Sequence, residues 1–413
     1  MKGDWRTWLV IGATGFGGPA GQIAILHREV VERRTWLDEE EFVAALRVCM
    51  LLPGPEAQQL ATYVGWRRGG IGGGLVAGSL FVVPGALLVT LLAWLHAAGG
   101  SLPLVKSAFE GTRPAVVALV ALAAWRIGRK SLTSPPAVVL MLAALAALAT
   151  GAPFPAVVVV AGLVGGLVIP VASKSAGVGE SQHGDAASSE PKARLVRHVA
   201  AVAVVAILAW AAAYGAVVAG GLAGGRGSAI ARLFTTTTLL SLGGAYAVVP
   251  WALDESVARG WLDAGERFTA LAMGEATPGP LILVVTFIGF LAGWKAVPAA
   301  AAAQAGWAGA GVATLFAFLP SFALIFGLAP FVRAIHPASW LGRMMTAVGA
   351  AVVAAILLLA MKLAVAAFVP AGRVDAPAVA IALGSAAALL TGRASTPVVV
   401  LAAAAIGALA AAV

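Results

Sequence analysis

Cysteine occurs once in 413 residues, at Cys49, which rules out an intrachain disulfide and any cysteine-built zinc or iron–sulfur site. Charge is equally scarce. Only 11% of residues are Asp, Glu, Lys or Arg, against about 25% in a soluble domain. The five histidines and Cys49 form no ligand cluster, and H-E-x-x-H is missing, so neither a metal nor a cofactor is expected. Without a G-x-x-x-x-G-K-[ST] loop, direct ATP hydrolysis is not expected, and the chain does not read as an enzyme. No basic stripe is interleaved with aromatics, which argues against a nucleic-acid partner.

What remains is 61% hydrophobic, in long runs of Ala, Val, Leu and Gly rather than the short alternating segments of a β-barrel. The sequence therefore predicts an all-α polytopic membrane protein whose partner is the lipid bilayer. The excess of 27 Lys and Arg over 18 Asp and Glu fits topology and anionic lipid. The first apolar stretch follows Lys2, Asp4 and Arg6 without an A-x-A-like cleavage site, and reads as a first membrane helix.

Thirteen apolar segments can be drawn, among them 7–26, 42–65, 73–97, 229–251 and 267–292. Residues 172–198 turn polar and read as a cytoplasmic linker. The halves on either side match. Trp36-Leu37-Asp38 and Trp261-Leu262-Asp263 stand 225 apart, as do Pro53-Gly54-Pro55 and Pro278-Gly279-Pro280, while Pro84 and Pro320 stand 236 apart. The expected division is a repeat over 1–171, the linker, a connecting membrane helix over 199–222 and a second repeat over 223–413. Duplicated halves with matched helix breakers point to a transporter with its site at the repeat interface. If segment 42–65 and its counterpart cross fully, the halves are inverted; if they are re-entrant, the same count makes them parallel. Lys and Arg distribution does not separate the two.

Pro53 and Pro278 each sit inside an apolar helix and must break it. After each break a second helix begins, with Pro55 or Pro280 at its start and free N–H groups on Glu56, Ala57 and Gln58, or on Leu281, Ile282 and Leu283. Such a positive helix end binds anions. Gly17-Gly18 and Gly243-Gly244 form a second matched pair, suited to close helix packing or to backbone contact with a ligand. Charged groups at a span centre cost about 2.5–3.5 kcal/mol, so those near the breaks should face a cavity. Arg47 is a candidate fixed charge, Gln22, Gln58, Gln59, Thr277 and Thr286 are candidate hydrogen-bond donors, and Glu56 and Glu275 are proton-coupling candidates.

The run Phe16-Gly17-Gly18-Pro19-Ala20-Gly21-Gln22-Ile23, then Glu29, Trp36, Phe42 and Leu52-Pro53-Gly54-Pro55-Glu56-Ala57-Gln58-Gln59-Leu60-Ala61, resembles the chromate ion transporter family. The second half resembles that family's C-terminal repeat through Gly243-Gly244-Ala245-Tyr246, Gly260-Trp261-Leu262 and Glu275-Ala276-Thr277-Pro278-Gly279-Pro280. The resemblance implies a multi-pass inner-membrane carrier exporting chromate, with sulfate as a similar tetrahedral dianion, driven by protons or anion exchange. It also implies antiparallel halves and thirteen spans; a homodimer is a separate expectation. Leu242 and Thr286 depart from the family's usual Phe and Gln.

Overall fold

The computed structural model describes residues 4–99, 102–169, 190–242, 244–334 and 339–410. Gly243 and most of the expected linker lie outside the described residues. Everything regular in the described residues is helical, with large apolar side chains such as Leu87, Leu163, Ile207, Val365 and Leu409 on the outside, as a multi-pass membrane protein requires.

The first half opens with α1 (Asp4–Thr14) and α2 (Gly18–His27), separated where segment 7–26 reads as one span. The break follows from Gly17, at φ +94°, a left-handed backbone that an L side chain rarely adopts. A Cβ on Gly18 would meet nothing within 4 Å, so this glycine serves backbone conformation rather than close packing. A six-residue π-helical turn, Arg28–Arg33, leads to α3 (Glu39–Leu51), where Asp38 caps by accepting the Glu41 N–H at 2.6 Å. Leu52 is extended before Pro53, and α4 (Glu56–Gly99) follows.

Within α4, Gly69 and Gly70 leave helical geometry and reverse the chain. Were α3 and the arm Glu56–Arg68 collinear, Glu41 and Arg67 would lie roughly 40 Å apart at 1.5 Å per residue. Their side chains are hydrogen-bonded instead. The α3 helix and this arm therefore form a hairpin that enters and returns, and Gly65 lets the returning arm lie against Gly73 and Ala77. The α1–α2 pair does the same: Arg68 holds Asp4 at 2.9 Å, and His27 holds Glu39 at 2.7 Å. Beyond the kink, the long arm of α4 runs to His96 at the opposite end.

The second half repeats this order. Helices α10 (Gly227–Leu239) and α11 (Val249–Ala258) form one hairpin, and α12 (Glu266–Ala276) and α13 (Val284–Trp294) another, before the long α14 (Ala299–Leu328). Lys295, just ahead of α14, bonds Glu266 at 2.6 Å, while Arg333, just past it, bonds Glu41 at 2.7 Å. Hence α14 runs from the Glu266 end to the Glu41 end. The long arm of α4 runs the other way, since His96 lies 3.5 Å from Glu266.

The remaining helices are α5 (Pro103–Gly111), α6 (Arg113–Ser131), the paired α7 (Pro135–Ala149) and α8 (Phe154–Val168), α9 (Glu190–Ala219), α15 (Ser339–Phe368), α16 (Ala376–Leu390) and α17 (Thr396–Ala410). The halves interleave: α15 packs on α6, α7 and α8, while α16 and α17 pack on α6 and α5. Among the described residues five helical stretches are long and apolar enough to cross a membrane: 56–99, 103–131, 194–219, 299–333 and 342–368. The thirteen spans implied by resemblance thus resolve into these five and shorter paired helices, because segments such as 7–26, 42–65, 229–251 and 267–292 break at mid-length.

Candidate functional site

The hairpin tips meet. The Gly54 N–H donates to Ser241 Oγ at 2.8 Å, and the Gly279 N–H donates to the Gly15 carbonyl at 3.0 Å. Ser241 follows Gly15 by 226 residues, close to the offset of the Pro-Gly-Pro motifs, so one relationship is made twice. Each tip is a helix break, and the helix leaving it starts there. The N-termini of α2, α4, α11 and α13 therefore converge, two from each end of the molecule.

Both Pro-Gly-Pro glycines need their missing Cβ. Gly54 has φ +123° and a Cβ there would sit 2.7 Å from Gln59 Nε2; Gly279 has φ +101° and would press Leu283 Cδ1 at 2.8 Å. After Pro55 the first hydrogen bond runs from the Gln59 N–H to the Pro55 carbonyl at 3.0 Å, leaving the first-turn N–H groups of Glu56, Ala57 and Gln58 ahead of it. In the second half a 3-10 turn, Leu281–Leu283, tightens the start, and the Leu283 N–H expected to be free bonds the Pro280 carbonyl at 2.9 Å. That leaves Leu281 and Ile282.

The polar candidates divide. Gln22 is buried and ties the tips together, donating to Gly15 at 3.2 Å and to the Gly279 carbonyl at 2.5 Å. Gln58 is spent across the halves, accepting from Ser321 Oγ at 2.7 Å and donating to Thr62 at 3.0 Å. Gln59 Nε2 holds the Pro53 carbonyl at 2.8 Å, while its buried Oε1 has no partner among the described residues. Thr277 bonds back to Met273 at 2.6 Å. Thr286, in the first turn of α13, pairs with Thr314 of α14 at 2.8 Å, and Arg47 lies exposed on α3.

Both carboxylate candidates flank the turn that starts α11. Gly244, at φ +99°, presents its bare Cα to Glu56, whose Oε1 would lie 3.0 Å from any Cβ there. Two residues on, Tyr246 donates its hydroxyl to Glu275. Arg126 and Lys130 of α6 are the cations whose fields reach Glu275 and Glu56.

Three residues at the tips were not singled out from sequence. Ser241 and Gly15 carry the paired bonds above, and their equivalence was readable from the repeat offset. Gly85 lies so close to the Pro278 carbonyl that a Cβ would collide with it, and its equivalent at offset 236 is Ser321, the partner of Gln58. The alignment of Pro84 with Pro320 was the available signal.

A sequence profile described as "Chromate transporter" matches residues 5–167 and 228–408. The chain is 32% identical over 327 residues to a chromate transport protein of Pseudomonas aeruginosa, covering 76% of this chain and 70% of the relative. It is 28% identical over 336 residues to a probable chromate transport protein of Synechococcus elongatus, covering 81% and 77%. An uncharacterized transporter of Bacillus subtilis is 31% identical over 170 residues, which are 40% of this chain and 96% of that protein. No solved structure matches. Two profile matches spanning both halves, over the same helices whose broken tips meet, place this chain in the chromate transporter family.

Proposed function

We propose that the protein is a secondary active transporter that exports chromate, or a similar tetrahedral dianion such as sulfate, across the inner membrane. The observation that carries this reading is the convergence of four helix N-termini from opposite ends of the molecule. Each brings a positive dipole end, and the starts of α4 and of the Leu281 turn add first-turn N–H groups with no backbone partner, which favours a small dianion over a cation. The depth is also right: Gly85, against Pro278, lies 11 residues before His96, roughly 16 Å of helix rise from one end.

The opposite directions of α14 and the long arm of α4 support inverted repeats over 1–171 and 223–413. Both hairpins of each half return and α7 and α8 pair, so the two long helices of the first half and the connector α9 make three crossings between equivalent points of the halves, an odd total that supports inversion.

In this reading the anion is held by the N–H groups of Glu56, Ala57, Gln58, Leu281 and Ile282. Glu56 competes with the anion for the α4 N-terminus, and Glu275 shares its proton balance with Tyr246, so both couple anion to protons. Gln22, Gln58 and Thr277 hold the tips in register. The test is flux of labelled chromate, sulfate and phosphate into reconstituted vesicles, with and without a pH gradient. Saturable chromate flux that sulfate competes away and that follows the gradient is the expected result. Flux indifferent to the gradient favours an anion channel or exchanger, and no flux of any anion removes the substrate assignment.

A further inference from the structure

The two ends of the molecule carry matching ionic clusters that the anion site does not use. At one end Glu41, 3% exposed, accepts from Tyr63 at 2.7 Å and from Arg67 of its own half, and from Arg333 of the other half at 2.7 Å. At the other end Glu266, which stands 225 after Glu41, accepts from Lys295 of its own half at 2.6 Å and faces His96 Nε2 of the other half at 3.5 Å. In both places a carboxylate at the mouth of a hairpin is held by a cation at the end of its returning arm, and by a basic side chain at the end of the other half's long helix.

The clusters differ in one chemical respect. Arg333 keeps its charge at every physiological pH, whereas histidine is the side chain whose charge changes between pH 5 and 8. Burial pushes the Glu266 carboxyl up, but His96, Lys295 and the Asp263 N–H outweigh it and hold it below the usual glutamate value, so a charged partner awaits the imidazole. A cavity of about 450 Å³ opens beside the pair. Every packed element contributes charge there: Lys106 and Glu110 from α5, Arg113 from α6, Asp263 and Glu266 at the start of α12, and Lys295 after α13. His96 is otherwise boxed by Phe109, edge-on at 4.9 Å, and by Phe287 at 5.6 Å.

We propose that His96 is a proton-binding site that works a clamp between the halves: protonated, it locks the end of α4 to Glu266 and closes that end; neutral, it lets the α12–α13 hairpin part from α4. The Glu41–Arg333 cluster is the equivalent clamp with arginine in place of histidine; the histidine at that end, His27, pairs with Glu32 and Glu39 of its own half, so this switch between the halves has no counterpart there. The inference rests on the transporter reading for its purpose, but not on which anion is carried.

The test uses the full chain with Cys49→Ala, and spin labels on Ala98→Cys and Ala264→Cys, both exposed positions on the two sides of the cluster. Labelling is done at one pH, and the interspin distance distribution is then read without anion at pH 8 and pH 5.5. The ratio of short to long distances should rise roughly tenfold on acidification, the scale of one charge-assisted hydrogen bond. His96→Arg should hold the short distance at both pH values and His96→Gln the long one, each in protein that still elutes as a single folded species. A distribution that does not move with pH while His96 is present overturns the proposal. So does a pH shift that persists in His96→Gln. Chromate flux measured on the same preparations separates the two readings, since a working clamp without flux would sink the substrate and spare the clamp.

Discussion

Gly54 and Ser241, 187 residues apart, are joined by one hydrogen bond at 2.8 Å from the tip of a hairpin in one half to the tip of a hairpin in the other. Ser241 is the sole side chain in the pair of tip bonds; its equivalent, Gly15, uses a backbone carbonyl. Ser241→Ala should therefore orphan a buried amide and destabilise the protein by about 1–3 kcal/mol, whereas Ser241→Thr retains the hydroxyl. Thermal unfolding in detergent compares them, and equal melting of the Ala variant and the parent would show that the bond is dispensable.

Gly54→Ala and Gly279→Ala should each abolish most chromate flux while leaving membrane insertion intact, because both combine a left-handed backbone with a blocked Cβ. Gly260→Ala is the control. It shares the positive φ, at +68°, but has open space around it, and should retain flux.

Glu56→Gln and Glu275→Gln should uncouple chromate movement from the pH gradient rather than stop it. Tyr246→Phe, which removes the hydroxyl bonded to Glu275, should shift the pH profile in the direction of the Glu275 variant. Vesicle flux at several internal and external pH values reads this, and a gradient dependence unchanged in all three would exclude these carboxyls as the coupling groups.

Burial pushes the Glu41 carboxyl up, but hydrogen bonds from Arg67 and Tyr63 and the charge of Arg333 outweigh it and hold it below the usual glutamate value. A depressed folded pKa gives stability that is fully present above the unfolded value, about 4.3, and is lost as pH falls through the folded one. Melting temperature should consequently drop in the acid range, and Glu41→Gln should start lower at neutral pH and lose less on acidification. A parallel pH curve for the variant would remove Glu41 as the origin.

The repeat and the Pro-Gly-Pro breaks were legible because proline forbids a helix locally, and 225 residues recur as a register. The first break of each half was legible only as a glycine pair. Nothing in the sequence states that Gly17 takes a positive φ, so a run such as 7–26 has the length and apolarity of one span. That the halves are tied tip to tip depends on Gln22, Gly54 and Ser241 meeting partners in the other half or beyond a break, and no local pattern reports a contact of that kind. Thr286 and Arg47 show the converse: near a break in sequence, the Thr286 hydroxyl is paired with Thr314 of α14 and Arg47 lies exposed on α3, and neither is stated by a local pattern.

The interleaving of the halves also sets a timetable for synthesis. Helices α6, α7 and α8 pack on α15, yet Ser339 is added 171 residues after Val168. At about 5–20 residues per second, a ribosome leaves the first repeat without that neighbour for roughly 10–30 s. Until then the half-made protein must shelter those faces in lipid or against the insertion machinery, so the last helices to emerge complete the first half.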